Sequence, residues 1–300
     1  MTGKTNERVG LVGLGIMGNA MARTLMEAGH PVSGFDVAAP AMERFTGAGG
    51  QACGDAAQVA RDAEVVVFSL ATTAAMLESA WRVAAAVRAG ARCRFVVETS
   101  TLPMDDKSEL AHILEEVGIA VLDCPISGTA VRLEERAWTI YCSGEPAAYE
   151  RVKPLLQVFT DRLPHVGPYG NGTKMKFAAN HLVAIYNVAY AESVNLARKM
   201  GLDPRQVLEL FAPSPVLGTG VMRLRMPFMV DRQYEPATMK VEVWQKDMQV
   251  IGDMARSVDC PTPLFSACLP IYSAAMAQGR AQHDTASVSE VLAGMAGVDL

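Results

Sequence analysis

"VGLVGLGIMGNAMARTLMEAGHPVSGFD" runs from Val9 to Asp36, and its reading decides the fold. An apolar run ends at Gly13, glycines follow at 15 and 18, and an amphipathic helical pattern closes at Gly29. A second short apolar run then ends in an acidic residue, Asp36, 18 residues after Gly18. Gly13-Leu14-Gly15-Ile16-Met17-Gly18 fits G-x-G-x-x-G, a weak pattern by itself because glycine is common. Its context strengthens it, since a strand ends at the first glycine and a helix begins at the third. In that arrangement Gly13 permits a tight turn, Gly15 lets backbone approach a pyrophosphate, and Gly18 lets the helix pack on the sheet. The helix N-terminus turns free N–H groups toward phosphate, and Asp36 would bond a ribose and repel a 2′-phosphate. NAD is favoured over NADP on that ground. A purely structural glycine turn, a flavin site or a methyltransferase cradle are the other readings of the same pattern.

Outward from this stretch, strand and helix patterns alternate. Strands are expected at Arg8–Gly13, Pro31–Asp36, Ala63–Leu70, Arg94–Glu98, Ile119–Cys124 and Ala137–Ser143, with a short one across 162–167. Helices are expected at Met17–Ala28, Met76–Val87, Asp105–Val117 and Glu145–Phe159. Such alternation implies a parallel sheet with helices on both faces. After Gly170 the texture changes. Lys174 to Met200 is apolar at helical spacing and free of proline, a helix of about 27 residues or ~40 Å. Further helices are expected at Pro204–Phe211, Trp244–Ser257, Leu264–Gln278 and Thr285–Gly294, with nothing strand-like of any length among them. The fold class is therefore an α/β Rossmann-like N-terminal domain, a long interdomain helix and an all-α C-terminal domain. The expected boundary puts 1–168 in the first domain and 169–300 in the second.

Composition narrows the function classes. Half of the 300 residues are hydrophobic and the formal net charge is −5. A mildly acidic chain without a basic run is a poor partner for nucleic acid. Six cysteines, none in a C-x-x-C pair or near zinc-ligand histidines, read as reduced thiols, with no metal site. Lys4 and Arg8 ahead of an apolar stretch mimic a secretory signal, but three glycines and a strand–turn–helix pattern argue against one. No apolar run reaches the ~20 residues of a membrane span. The expectation is a cytoplasmic protein.

The chain resembles the β-hydroxyacid dehydrogenases, the family of 3-hydroxyisobutyrate dehydrogenase, from end to end. "GLGIMGNAMARTLMEAGH" resembles the family's cofactor signature, and "DCPISGT", Asp123 to Thr129, its substrate loop. "GNGTKMKFAAN", Gly170 to Asn180, matches G-x-G-x-x-x-K-x-x-x-N, and "KDMQV" from Lys246 resembles the C-terminal K-D segment. The resemblance implies the architecture above, usually as a homodimer or homotetramer, and NAD-dependent oxidation of a small 3-hydroxyacid to a semialdehyde or ketoacid. It places the catalytic general acid/base on Lys176, and substrate on Asn180, Ser127, Gly128 and Thr129. Leu14, Ile16, Met17 and the three glycines would hold the cofactor with Asp36. Leu70, Ala71, Thr101 and Lys246 would lie on its nicotinamide side.

Lys176 and Asn180 stand four apart, so they share one helix face. Taken alone, each is an ordinary solvated residue; the matched motif and the apolar neighbours Phe177, Ala178 and Ala179 single out Lys176 over Lys174. Lys176 must be neutral to accept a proton, which burial beside a cationic ring would favour. His165 and His181 read as structural.

The substrate loop departs from the family. "TAVRLEER" is bulkier and more charged than the small residues expected there, so Arg132 or Arg136 is a candidate to meet an extra anionic group through a bidentate fork. "APSPVLGTGVMRLRMPF", Ala212 to Phe228, reads as an adaptable wall or a connecting loop. Competing functions are a semialdehyde or imine reductase of the same fold, and a non-catalytic dinucleotide-binding sensor.

Overall fold

The computed structural model describes residues 7–128, 133 and 136–298. Its contacts divide the chain into two compact units, Met1–Lys176 and Phe177–Leu300.

In the first unit the elements run β1 (Val9–Val12), α1 (Ile16–Glu27), β2 (Val32–Phe35), α2 (Ala39–Gly47), β3 (Gln51–Ala52), α3 (Ala56–Asp62) and β4 (Val65–Phe68). Then come α4 (Thr73–Arg88), β5 (Phe95–Glu98), α5 (Met104–Glu115), β6 (Ala120–Asp123), β7 (Ile126–Ser127), β8 (Thr139–Ile140) and α6 (Pro146–Leu156). Strands β1 to β6 form one sheet in the order β3-β2-β1-β4-β5-β6, every pairing parallel. That is the doubly wound order of the dinucleotide-binding fold. The sheet is covered on both faces, which is why β1 and β4 are buried along their whole length. Val9, Leu11, Val65 and Val67 face a core with Met21 of α1, Phe45 of α2 and Val152 of α6. Val12, Val66 and Phe68 face the opposite one, with Val59 of α3, Val83 of α4 and Leu110 of α5.

Side chains start several helices. Asp55 accepts from Gln58 N–H ahead of α3, Thr72 from Ala75 N–H ahead of α4, and Glu145 from Ala148 N–H ahead of α6. Helix α1 differs: no side chain caps it and no acidic residue sits in its first turn.

Three details depart from the sequence expectation. Between β2 and β4 the chain forms α2, β3 and α3, where no elements were expected. The run 137–143 makes only the two-residue β8, which pairs antiparallel with β7. Beyond β8, Cys142 and Ser143 make single bridges to His165 and Asp123, so 162–167 is not a strand.

Helix α7 spans Asn171–Lys199, 29 residues. The unit boundary falls inside it, because Ser143 and Asp123 of the first unit bond the N–H groups of Gly172 and Thr173. The second unit continues with α8 (Pro204–Phe211), α9 (Gly220–Asp231), α10 (Val241–Ser257), α11 (Pro263–Ala277), a 3₁₀ turn (Thr285–Ser287) and α12 (Val288–Ala296). No strand appears among its described residues. Buried polar side chains tie these helices. Asn187 Nδ2 donates to Tyr272 Oη at 3.1 Å and to the Thr285 carbonyl at 2.8 Å, and Arg225 pairs with Asp284.

Helix α9 corrects the second half of the Ala212–Phe228 reading: 212–219 is a connecting loop, but 220–228 is helix. Thr219 accepts from Met222 N–H to start it, and Met222, Met226 and Met229 are buried. The methionines of this stretch are core, and Pro227 sits within the helix rather than ending it.

Candidate active site

The glycine turn places three different demands on its three glycines. Gly13 has φ +90, and a Cβ there would stand 2.2 Å from the Ser69 carbonyl oxygen. A Cβ on Gly18 would stand 2.0 Å from the Gly13 carbonyl oxygen, so α1 packs directly on the turn. A Cβ on Gly15 would meet nothing within 4 Å. The protein gives no reason for glycine at 15; the space beside it lies at the uncapped start of α1, where backbone donors and the helix dipole favour an anion. An anionic diphosphate fits this cradle. Leu14 is buried, while Ile16 is 77% exposed at the head of the helix and Met17 is partly buried.

Asp36 closes the turn from β2. Its Oδ2 accepts the Leu14 N–H at 2.6 Å and its Oδ1 the Ala38 N–H at 2.8 Å. Two N–H bonds leave lone pairs on the carboxylate, which has about four acceptor positions. Beside it a cavity of about 220 Å³ is lined by Gly13, Phe35, Asp36, Val37, Asp55, Leu70, Glu78 and Arg82, among others. Arg82, the cation among these, bonds Glu78 at 2.8 Å and lies 3.6 Å from Asp55. The wall is therefore acidic on balance. Asp55, Glu78 and Arg82 were not singled out from sequence; at Asp55 the signal was ambiguous, since it doubles as a helix cap.

The strand ends carry the next group. Leu70 N–H donates to Ser100 Oγ at 2.9 Å, and Ser100 N–H to Glu98 Oε1 at 2.8 Å. Leu70 and Thr101 are partly buried and Ala71 is exposed. Glu98, Lys107 and Asp123 are all fully buried. Lys107 Nζ lies 2.5 Å from Glu98 Oε2, and donates to Asp123 Oδ1 at 2.7 Å and to Thr173 Oγ1 at 2.6 Å. Burial works against the Lys107 charge, but Glu98 and Asp123 overcome it and hold the ammonium above its ordinary value. Burial lifts the Glu98 carboxyl, with Lys107 and the Ser100 N–H opposing. Thr173 N–H donates to Asp123 Oδ2 at 2.7 Å and Gly172 N–H to Ser143 Oγ at 2.9 Å. Asp123, read from sequence only as the start of the loop motif, thus caps the long helix.

Of the loop, Ser127 ends β7 partly buried and Gly128 follows exposed, with φ +153 and a Cβ position 2.3 Å from Trp138 Cδ1. Thr129 and Arg132 lie outside the described residues. Arg136, the other candidate anion receptor, is engaged elsewhere in this structure. Its guanidinium donates to the Gln157 and Val158 carbonyls just past the end of α6 and to Asp161, at 2.9, 3.1 and 3.1 Å. A cation at a helix C-terminus is a structural use of arginine.

Lys176 is the sixth residue of α7 and is partly buried, next to buried Phe177; Lys174 is exposed. One turn on, in the second unit, Asn180 is buried and its Nδ2 donates to Asp247 Oδ2 at 2.9 Å. Asp247 is an acceptor, so it turns the Asn180 amide nitrogen toward itself and leaves Oδ1 pointing elsewhere. Lys246, partly buried, has Nζ 3.7 Å from Asp247 Oδ1. His165 Nε2 is bonded with the Gly144 carbonyl at 3.0 Å, and the His181 ring stacks on Phe265. Among the described residues no group of three His, Cys, Asp or Glu could hold a metal ion, and no helix is long and apolar enough to cross a membrane.

Comparison with known proteins gives a consistent picture. Residues 8–167 match the family described as the NAD binding domain of 6-phosphogluconate dehydrogenase. Residues 170–292 match the NAD-binding family of NADP-dependent 3-hydroxyisobutyrate dehydrogenase. An L-threonate dehydrogenase of Cupriavidus necator is 28% identical over 294 residues, covering 97% of each chain. A chloroplastic glyoxylate/succinic semialdehyde reductase of Arabidopsis thaliana is 25% identical, covering 95% of this chain and 79% of the relative. A 3-hydroxyisobutyrate dehydrogenase of Mycobacterium tuberculosis, solved with L-serine, superposes with a TM-score of 0.84 at 25% identity, covering 96% of this chain and 99% of the other.

Proposed function

Because the chain belongs to the β-hydroxyacid dehydrogenase family, we propose that it oxidises a small 3-hydroxyacid with NAD, or reduces the corresponding semialdehyde or ketoacid. At the coarser level, the family makes it an oxidoreductase of hydroxyacids that uses a nicotinamide dinucleotide. The observation that carries the reading is the place of Lys176. It stands one turn before Asn180 on a helix whose start is bonded to the strand ends of the dinucleotide-binding sheet.

A bound nicotinamide dinucleotide supplies the hydride acceptor. The chain's own residues handle the proton and the substrate. Neutral Lys176 takes the hydroxyl proton as the carbon loses hydride, and its ammonium returns that proton in the reduction. Asn180 presents Oδ1 to the substrate hydroxyl, held in that sense by Asp247. Ser127 and the Gly128 N–H receive the carboxylate. By the family resemblance, Leu70, Ala71 and Thr101 would help hold a bound nicotinamide, as would Lys246 of the K-D segment.

NAD over NADP is supported by the acidic wall around Asp36. A 2′-phosphate would meet Asp36, Asp55 and Glu78 with Arg82 already committed to Glu78. The relatives' names, an L-threonate and a 3-hydroxyisobutyrate dehydrogenase, point to small hydroxyacids as the substrate class.

A panel of hydroxyacids with NAD and NADP tests this, followed by NADH absorbance. Lys176→Ala should cut kcat by about 10²- to 10⁴-fold while dinucleotide affinity holds. Tight NADH binding without turnover on any substrate would make the protein a sensor, and imine reduction indifferent to Lys176→Ala would make it an imine reductase.

A further inference from the structure

Between the strand ends and the long helix lies a buried ionic triad that the reaction itself does not use. Lys107 occupies the core face of α5, in register with Leu110, Ala111 and Leu114, and is fully buried. Burying an ammonium costs several kilocalories per mole unless it is paired and bonded, and a hydrophobic side chain of similar volume is often as stable. A fully apolar face would therefore serve α5 equally well for packing.

The three groups meet two different structures. Through Glu98 and Ser100 the triad holds the Leu70 backbone at the end of β4. Through Asp123 and the Thr173 hydroxyl it holds the first turn of α7. Thr173 Oγ1 is the junction: it accepts from Lys107 Nζ at 2.6 Å and donates to Asp123 Oδ1 at 2.7 Å. It stands three positions before Lys176, and residues three apart on a helix are neighbours. All of these groups lie in the first unit.

We propose that Glu98, Lys107, Asp123 and Thr173 are positioning residues, which reference the base-bearing turn of α7 and the Leu70 segment to a single buried anchor. The inference rests on the reading of Lys176 as the proton-transfer residue. The triad fixes the helix start in azimuth as well as position, because Asp123 grips both the backbone N–H and the side chain of the same residue. A helix start held only by backbone could rotate by a fraction of a turn and swing Lys176 with it. A misplacement of about 1 Å is enough to cost on the order of 10²-fold in rate.

The test uses the full chain and Thr173→Val, which removes the hydroxyl but keeps shape and the N–H bond to Asp123. Kinetics are measured with the best hydroxyacid and NAD, alone and in a Lys176→Ala background. The expected result is a fall in kcat of about 10- to 100-fold, with KM and dinucleotide Kd within about twofold of the parent. Thr173→Ser should restore the rate. In the Lys176→Ala background, Thr173→Val should cost nothing further, because groups acting as a unit are non-additive. Should Thr173→Val fold poorly, Ser100→Ala reports on the same anchor from the Leu70 side and should also lower kcat with little change in KM. Wild-type kcat in both variants overturns the proposal, as does an equal loss with and without Lys176. Full activity in Lys176→Ala overturns the underlying reading as well; an inactive Lys176→Ala beside fully active Thr173→Val overturns the positioning role alone.

Discussion

The Gly13 carbonyl oxygen occupies the space that a Cβ on Gly18 would need, at 2.0 Å. The contact is to backbone, and the Gly13 backbone is itself held, its N–H donating to the Phe35 carbonyl at 2.9 Å. Gly15, two residues from Gly13, has no such neighbour. Fold and ligand thus claim different glycines of one motif. Gly18→Ala should destabilise the first unit by about 1–3 kcal/mol, the usual range for overpacking, or more. Gly15→Ala should melt close to the parent yet bind NADH at least about tenfold more weakly, since its methyl intrudes only on the anion's space. Thermal unfolding and a fluorescence titration of NADH separate the two. Equal melting points with equal affinities would leave the cradle without a function.

Asp36 holds both the Leu14 and Ala38 N–H groups, so its replacement has two effects of different kinds. Asp36→Ala should cost about 1–3 kcal/mol, because two N–H donors lose their partner. Independently, the ratio of kcat/KM for NAD to that for NADP should fall by about tenfold or more, as one carboxylate and one ribose acceptor leave the pocket. Adding Glu78→Gln should lower the ratio again and free Arg82 for a phosphate. An unchanged ratio in the double variant would assign cofactor choice to some other part of the chain.

The part of the fold written at a constant period was readable in the sequence. The β1–α1–β2 unit, β4, and the long α7 each show an uninterrupted apolar pattern, so local and tertiary demands agree. The stretch from α2 to α3 was not readable. Strand β3 has two exposed residues and α3 only seven, so neither carries a full period. Helix α9 was hidden by Gly220 and Pro227, where burial of Met222, Met226 and Met229 outweighs poor propensity. At the candidate site, Lys176, Asn180 and the glycines were singled out because each sits in a dense motif. The ionic triad left a different signature. Glu98 and Asp123 each end an apolar strand, and Lys107 interrupts an apolar helical stripe. Each looks like a boundary residue until the sheet brings the three together.

Lys107→Met tests what the triad costs and what it needs. The substitution leaves Glu98 and Asp123 facing each other in a dry site without their counter-charge. Loss of one partner from a buried pair typically costs about 3–5 kcal/mol. Glu98, whose carboxyl burial already lifts, should then hold its proton more tightly in the folded chain than in the unfolded one. The folded state binds more protons, so stability must fall as pH rises. The deficit relative to the parent should be larger at pH 8 than at pH 5, measured by urea unfolding at both. A pH-independent deficit would mean that the carboxylates are repaired by some other donor.

Glu290 gives the second unit a pH dependence of opposite sign. Burial works against its charge, but the Arg232 guanidinium and the Tyr234 hydroxyl, at 3.0 and 2.7 Å, overcome it and hold the carboxyl below the ordinary value of 4.5. A folded-state value below the unfolded one contributes stability above 4.5, and that contribution is lost as pH falls toward and through the lowered value. Glu290→Gln removes the charge at every pH. It should weaken the second unit at pH 7 by about 1.5–3 kcal/mol, the usual worth of a hydrogen bond to a charged group. It should also flatten the acid limb, so parent and variant converge below pH 4.5. Hydrogen exchange of α9 and α12 amides reads this unit alone, whereas a global melt mixes both units. Protection that falls in parallel for parent and variant across the acid range would show that the Arg232–Glu290 pair carries none of the acid sensitivity, and that the buried Arg225–Asp284 pair is the next to replace.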